Sequence, residues 1–263
     1  MNVSLALSGG AARGAFHLGV LAAFERNGID VAAVSGTSIG AVIAVGVGSG
    51  MSAFDMIRLF KSEAFRKAFR FNYFRKGLLR IDEDAPILKE IVPIERLEQM
   101  KIPTFINCVD LYKGEMVRFS QGDAITLAIA SAALIPIFRP IVYEDYLLID
   151  GGFMDNLPVE PLLAFPYPII SVNLFPLHVI KHSSQTSVLQ RAISLSILAS
   201  SQRQIEQSAL CISDPALNDF GLFTFGELMR CFELGYTKGS EAILTFMGQK
   251  SIMKSFFKRE GMR

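Results

Sequence analysis

The sequence predicts an α/β fold in which helices cover a mainly parallel β-sheet. The first 50 residues alternate strand, tight loop, helix, strand, tight turn and helix, which is the order typical of parallel sheets. Hydrophobic residues make up 51% of the 263 residues and charged residues 19%, so the chain can fill a large core. No linker or internal repeat divides the chain, and we therefore expect one domain over residues 1–263.

The strands are predicted from short apolar runs that end at glycine, proline or a polar residue. These runs cover residues 3–8, 31–35, 103–110, 115–119, 146–150 and 168–174. The third and fourth runs are joined at Lys113-Gly114, which favours an antiparallel hairpin.

The helices are predicted from apolar spacing and from their end residues. Residues 14–27 end at Asn27-Gly28, and residues 123–134 begin after a capping Asp123 and stop before Pro136. Further helical patterns cover residues 39–49, Ser183 to about Ile212, and Phe225 to about Met247. The basic last ten residues are expected to fray.

Composition excludes several classes of protein. A net charge of +1 argues against a general nucleic-acid binder. Cys108, Cys211 and Cys231 have no metal-ligand spacing, and we expect neither a metal nor a cofactor. The N-terminus lacks signal-peptide features, and no apolar run approaches the length of about 20 residues that spans a bilayer. We therefore expect a cytoplasmic protein, with peripheral contact at the inner membrane face as an option.

The fragment GTSIG, residues 36–40, is the most specific local motif. It follows a predicted strand and precedes a predicted helix, which is the setting of a nucleophile elbow. Gly36 and Gly40 allow strand and helix to approach, and the turn with Thr37 would present the Ser38 hydroxyl at the helix N-terminus. A glycine-rich packing turn with a capping serine would give the same pattern.

A nucleophilic serine needs a base, and Asp150 is the better candidate. An apolar strand delivers Asp150 directly into Gly151 and Gly152, although Asp-Gly also marks ordinary turns. His17, His178 and His182 are the alternatives, and none of them has a strand-end setting; a buried, hydrogen-bonded helix residue is the simpler account of His17. A carboxylate can serve if burial raises its pKa from the usual value of about 4.

The fragment LALSGGAARG, residues 5–14, would point backbone N–H groups at a negative charge. That charge could be a bound phosphate, but the Lys-Ser/Thr end of a P-loop is missing. Asp30 lies near the acidic position of a dinucleotide fingerprint, so nucleotide binding stays open as an alternative. The other candidate is a transient oxyanion formed during a reaction.

Taken together, SGGAARGAFHLGVL, GTSIGA, ASAALIPIFRPI and DGGFMDNLPV resemble, in this order, the patatin-like phospholipases of bacterial type. The resemblance covers residues 5 to about 160. It implies a three-layer α/β sandwich with a mainly parallel central sheet, and a serine–aspartate dyad that cleaves acyl esters of phospholipids, lysophospholipids or acylglycerols without a cofactor.

Carried over by position, the resemblance makes Ser38 the nucleophile and Asp150 the base. Residues Gly9, Gly10, Ala11, Ala12, Arg13 and Gly14 become the oxyanion loop, with Ile39 as a further donor. Ala11 stands where the family pattern has glycine, at a cost of roughly 1 kcal/mol if that position needs a positive φ. A lipid-binding protein of this fold without activity is the second alternative.

Residues 53–80 form a basic, aromatic-rich amphipathic segment. From Arg58 to Arg80 there are eight basic residues and one acidic residue, and Phe54, Ile57 and Phe60 follow helical spacing. Such a segment can lie on an anionic lipid surface. A helix that packs its phenylalanines on the core is the competing interpretation. The sequence leaves the oligomeric state open.

Overall fold

The computed structural model describes residues 1–68, 86–176, 185–222 and 224–260, and within its helices the side chains of residues 66–68, 185–194 and 249–260 are left out of the description. Eight strands in these ranges form one sheet. They are β1 (Asn2–Leu7), β2 (Asp30–Thr37), β3 (Thr104–Asp110), β4 (Glu115–Phe119), β5 (Ile141–Tyr143), β6 (Tyr146–Asp150), β7 (Ile169–Val172) and β8 (Leu210–Ile212).

The sheet is mostly parallel. Its order is β5-β6-β3-β2-β1-β7-β8, with β4 on the other edge of β3. The pairs β1–β2, β1–β7, β2–β3 and β7–β8 are parallel, whereas β3–β4, β3–β6 and β5–β6 are antiparallel. The predicted hairpin of β3 and β4 is confirmed.

Helices cover both faces of the sheet. They are α1 (Gly14–Arg26), α2 (Ile39–Gly48), α3 (Ala53–Lys61), α4 (Glu63–Ala68), α5 (Pro86–Ile91), α6 (Ala124–Ser131), α7 (Gln185–Gln207) and α8 (Leu228–Glu260). The larger core lies between the sheet and the α1–α2–α8 face, and a smaller apolar cluster packs residues 157–169 and α7 on the opposite face. The three-layer α/β architecture is therefore as predicted.

The long helix α8 packs against α1 at unusually short range. A Cβ added to Gly19 would collide with the carbonyl of Phe232, and one added to Gly235 would collide with that of Phe16. Two glycines thus let the helix backbones touch, and α1 is buried from Gly14 to Phe24 as a result.

The C-terminal third corrects two predictions. Residues 210–212, expected at the end of a helix, form β8 and pair with β7. A short apolar run fits either element by periodicity, and here the open edge of β7 supplies backbone partners. The chain from Phe225 begins with a 3-10 turn, and α8 continues to Glu260 where fraying was expected.

The basic segment 53–80 is described only in part. Ser62 adopts an extended conformation, which separates α3 from α4, and its hydroxyl accepts from the N–H of Phe65 at 3.1 Å. Ile57, Phe60 and Phe65 are buried, and Arg58 is exposed. Residues 69–85 lie outside the described part of the chain. No helix in the described ranges has the length and apolarity that crossing a bilayer requires.

Candidate active site

Ser38 occupies a strained turn between β2 and α2. Its backbone φ of 56° is positive, which is uncommon for a residue other than glycine. A Cβ at Gly36 would strike the backbone of Gly40, and a Cβ at Gly40 would strike the carbonyl of Leu7. Both glycines are therefore required for β1, β2 and α2 to meet at this point, as the motif predicted.

A hydrogen-bonded chain holds this turn in place. The N–H of Ser38 donates to Ser131 Oγ at 2.8 Å, and Ser131 Oγ donates to the carbonyl of Asn107 at 2.7 Å. The Thr37 hydroxyl donates to the carbonyl of Asp155 at 3.1 Å. These hydrogen bonds hold the Ser38 turn against α6, β3 and the segment that follows β6.

Asp150 lies at the end of β6, and the sheet register explains why it meets Ser38. β3 pairs with β2 through Asn107 and with β6 from Cys108 onward, while β4 occupies the opposite edge. The carboxyl ends of β2 and β6 therefore meet head to head along one edge of β3. This places residues 38 and 150 beside each other although they are 112 positions apart in the chain.

The Asp150 carboxyl is buried, with 4% exposure, and its Oδ1 accepts from the N–H of Gly152 at 2.8 Å. Burial raises the pKa of Asp150 to about 6, while the N–H of Gly152 and the hydroxyl of Ser38 act in the lowering direction. A carboxyl with this pKa is largely ionised at pH 7 yet remains a stronger base than an exposed aspartate.

Four N–H groups of the glycine-rich loop are hydrogen-bonded to backbone carbonyls, two of them outside the loop. That of Gly9 donates to the carbonyl of Asn156 at 3.2 Å, that of Ala12 to Leu222 at 2.8 Å and that of Arg13 to Gly10 at 3.1 Å. Gly14 donates to carbonyls of the same loop. Among the described residues we find no acceptor for the N–H groups of Gly10, Ala11 and Ile39.

Ala11 adopts the positive φ that the sequence analysis considered as a cost for alanine at this position. Its φ is 49°, in the left-handed region where alanine is disfavoured by about 1–2 kcal/mol. Alanine thus occupies the position at an energetic cost.

Arg13 supports the loop from behind. Its Nε donates to the carbonyl of Phe220 at 2.9 Å and its Nη1 to that of Leu174 at 3.0 Å, and its guanidinium lies 5.7 Å from the ring centre of Phe175. Burial lowers its pKa, against a raising effect of Cys231. Arg13 is absent from the residues that line the cavity around Ser38.

His17 is a buried structural residue, as the simpler interpretation proposed. Its Nε2 lies 2.8 Å from the carbonyl of Ser8, and burial lowers its pKa to about 4 despite this hydrogen bond. The neutral ring therefore donates to Ser8 directly behind the loop. His178 and His182 lie outside the described residues.

Ser38 and Asp150 open into one apolar cavity of about 500 Å³. Gly9, Gly10, Ala11, Ala12, Ile39 and Gly152 line the same cavity, so most of the predicted site residues come together. Its remaining walls are mainly aromatic and aliphatic. In the described part of the chain, no group of three or more His, Cys, Asp or Glu side chains could hold a metal ion.

Two polar residues beside the site were missed from the sequence. Ser131 holds the Ser38 turn, and Asn156, 2% exposed, lines the cavity and accepts through its carbonyl from Gly9. Both lie within the ASAALIPIFRPI and DGGFMDNLPV fragments. The signal that could have identified them in the sequence is a small polar side chain among apolar residues.

Comparison with known proteins agrees with this geometry. The family model described as Patatin-like phospholipase matches residues 5–163. An uncharacterized NTE family protein of Mycobacterium tuberculosis is 32% identical over 164 residues, which is 61% of this chain and 45% of the relative. Lysophospholipase NTE1 of Mycosarcoma maydis is 32% identical over 178 residues, 62% of this chain and 9% of that protein.

A solved structure agrees in fold. The crystal structure of VipD from Legionella pneumophila superposes with a TM-score of 0.52 at 14% identity, covering 93% of this chain and 67% of that one. The chain thus shares an architecture with VipD, and it spans less than half the length of the curated relatives above. The family match covers the elbow, the loop and the aspartate motif together, and the chain belongs to the patatin-like phospholipase family.

Proposed function

We propose that the chain is a serine acyl hydrolase that cleaves ester bonds of lipids, with Ser38 as nucleophile and Asp150 as base. The substrate class is a phospholipid, lysophospholipid or acylglycerol. The observation that carries the proposal is the shared cavity. A half-buried serine in a strained turn, a buried carboxyl and backbone N–H groups without an acceptor among the described residues face one apolar space.

The proposed reaction has two halves. Asp150 accepts the proton of the Ser38 hydroxyl while Oγ forms a bond to the ester carbonyl carbon. The tetrahedral intermediate collapses, the carbon–oxygen bond to the alcohol breaks, and Asp150 returns the proton to that alcohol. Water then attacks the acyl-enzyme, Asp150 accepts its proton, and the fatty acid leaves as Ser38 regains a proton.

Backbone donors would stabilise the negative oxygen of each intermediate. The N–H groups of Gly10, Ala11 and Ile39 suit this role because no described residue accepts from them. Ile39 adds the N-terminal end of α2, where the helix dipole favours negative charge. Loss of one such donor typically costs about 10²–10³ in kcat.

The test is hydrolysis of p-nitrophenyl acyl esters by wild type, Ser38→Ala and Asp150→Asn. We expect turnover by wild type and a loss of at least about 10³-fold in each variant. Ser49→Ala, at the other end of α2, is the matched control and should keep full activity. Fluorophosphonate labelling should modify wild type and spare Ser38→Ala.

Three results would count against the proposal. Activity retained by Ser38→Ala would exclude Ser38 as nucleophile. Absence of turnover together with lipid binding would favour the inactive lipid-binding protein of the same fold. Tight binding of ATP or NAD would revive the nucleotide alternative.

Peripheral membrane contact through residues 53–80 is a separate part of the proposal. Its support is the basic surplus of the segment, with the described Arg58 pointing to solvent. Reversing Arg66, Lys67 and Arg70 to glutamate should weaken sedimentation with vesicles of anionic phosphatidylglycerol and leave zwitterionic vesicles unaffected. Equal binding before and after the reversal would remove this contact.

A further inference from the structure

A buried aromatic pair forms part of the wall of the active-site cavity. The rings of Phe60 in α3 and Phe65 in α4 stack with their centres 4.5 Å apart and their planes 13° from parallel. Each is 2% exposed, and both line the cavity. By contrast, Phe153 on the same cavity is 45% exposed. This difference in exposed fraction indicates that the cavity opens to solvent near Phe153 and that the stacked rings form its inner wall.

Helix packing places this wall beside α2, the helix that begins after Ser38. A Cβ at Gly46 would lie 2.5 Å from the sulfur of Met56, so α3 packs against α2 at this point. Phe60 follows Met56 by one turn, and Val42 follows Ser38 by one turn. Phe60, Val42 and Ser38 line the same cavity, so the stacked rings belong to the space in which the reaction would take place.

The space before the wall suits an acyl chain. At about 500 Å³ it lies in the size range of small-molecule pockets, and its walls are mainly aromatic and aliphatic.

A second, more open cleft lies beside α3. Ile57, Arg58, Lys61, Ser62 and Met229 line a space of about 300 Å³. Ile57 and Lys61 neighbour Phe60 on α3, and Met229 follows Leu228, a lining residue of the main cavity that is 5% exposed. The two spaces thus use neighbouring residues of α3 and of the start of α8.

Building on the proposed function, we propose that the Phe60–Phe65 stack is the end stop that sets the longest acyl chain the enzyme cleaves efficiently. The acyl chain runs from the Ser38 ester to the stacked rings. A chain that exceeds this length leaves methylenes outside the cavity. Trimming Phe60 opens space at this end of the cavity, and enlarging it shortens the usable space.

The experiment compares kcat/KM across p-nitrophenyl esters of 8 to about 20 carbons, held at a fixed fraction in mixed micelles. Each newly accommodated methylene should raise relative kcat/KM by about fourfold. We expect Phe60→Ala to raise the ratio of 18-carbon to 14-carbon activity by at least about tenfold. Phe60→Trp should lower that ratio and move the maximum to shorter chains.

The ratio between chain lengths does not depend on the fraction of folded enzyme, so partial destabilisation leaves the readout intact. Phe60→Leu, a milder change, serves if Phe60→Ala fails to fold. Phe24→Ala is the matched control, because Phe24 is 1% exposed in α1 and does not line the cavity. Its chain-length profile should equal that of wild type.

The outcomes separate the two proposals. If wild type cleaves these esters but Phe60→Leu and Phe60→Trp keep its profile, the end stop is refuted and the hydrolase stands. If wild type cleaves no ester of any length, the hydrolase and the end stop both fall. A profile shifted equally by Phe24→Ala would also refute a specific role of Phe60.

Discussion

Asp150→Asn should stabilise the protein in a pH-dependent way while removing the proposed ester hydrolysis. In the fold, burial raises the pKa of Asp150 from 3.8 to about 6, so ionising this carboxyl opposes folding. At about 1.4 kcal/mol for each pH unit, the difference corresponds to about 3 kcal/mol. Asparagine has the same shape and no charge, and it escapes this cost.

The direction in which the stability of wild type changes with pH follows from proton binding. Between about pH 4 and pH 6 the folded protein keeps the Asp150 proton that the unfolded chain has lost. The free energy of unfolding of wild type therefore falls as the pH rises through this window. Below pH 4 both states are protonated and the penalty vanishes, and above pH 6 it is complete.

The assay is urea and thermal unfolding of both proteins at pH 4, 6 and 8, followed by circular dichroism. At pH 8 we expect Asp150→Asn to gain about 3 kcal/mol, or roughly 6–12 °C in Tm for a domain of this size. At pH 4 the two proteins should unfold together. Asp145→Asn, at the exposed turn between β5 and β6, controls for the loss of one negative charge.

Two results would refute this reasoning. A gain of equal size at pH 4 and pH 8 would mean that the effect does not come from ionisation. A loss of stability at pH 8 would mean that the Asp150 carboxylate is favourably solvated in the fold.

Three further predictions concern the site and its scaffold. Because the base must be deprotonated, kcat/KM for ester hydrolysis should fall with an apparent pKa near 6 as the pH is lowered, and a flat profile to pH 4.5 would exclude Asp150 as base. Gly235→Ala should lower the free energy of unfolding by more than about 2 kcal/mol, because its Cβ would collide with the carbonyl of Phe16. Gly248→Ala, in open space on the same helix, should instead add about 0.5–1 kcal/mol, and equal urea midpoints for the two variants would contradict the close α1–α8 crossing. Asp123→Ala should cost about 1 kcal/mol in urea unfolding, since Asp123 accepts from the first-turn N–H of α6; an unchanged midpoint would mean that this cap contributes nothing.

Local signals in the sequence predicted the elements that carry the site. Glycines bracket Ser38, the first two strands end at tight turns, and Asp123 caps α6. Each of these features acts within a few residues, so sequence spacing is enough to place it. The mainly parallel sheet with covering helices followed from their alternation, and the three-layer arrangement followed from the family resemblance.

Features set by distant pairing could not be predicted in the same way. The apolar run before Asp150 predicted a strand end but not the direction of that strand in the sheet. Asp150 lies beside Ser38 because β6 pairs antiparallel with β3. The strands β5 and β8 have three residues each, which is too short for apolar periodicity to distinguish a strand from a helix or a loop. In the glycine-rich loop, the N–H of Ala12 donates to the carbonyl of Leu222, more than 200 positions later. Sequence spacing could not predict that this N–H is paired while its neighbours have no acceptor among the described residues.

That dependence on Leu222 has a consequence for how the protein can diversify. The family match ends at residue 163, yet Leu174, Phe220 and Leu222 brace the loop and Leu228 walls the cavity. A chain cut after residue 163 would keep every motif and lose the support that shapes the loop. Substitutions in the C-terminal third can therefore change the cavity walls without altering Ser38 or Asp150. The cavity walls come from both sides of residue 163, whereas every motif of the candidate site lies before it.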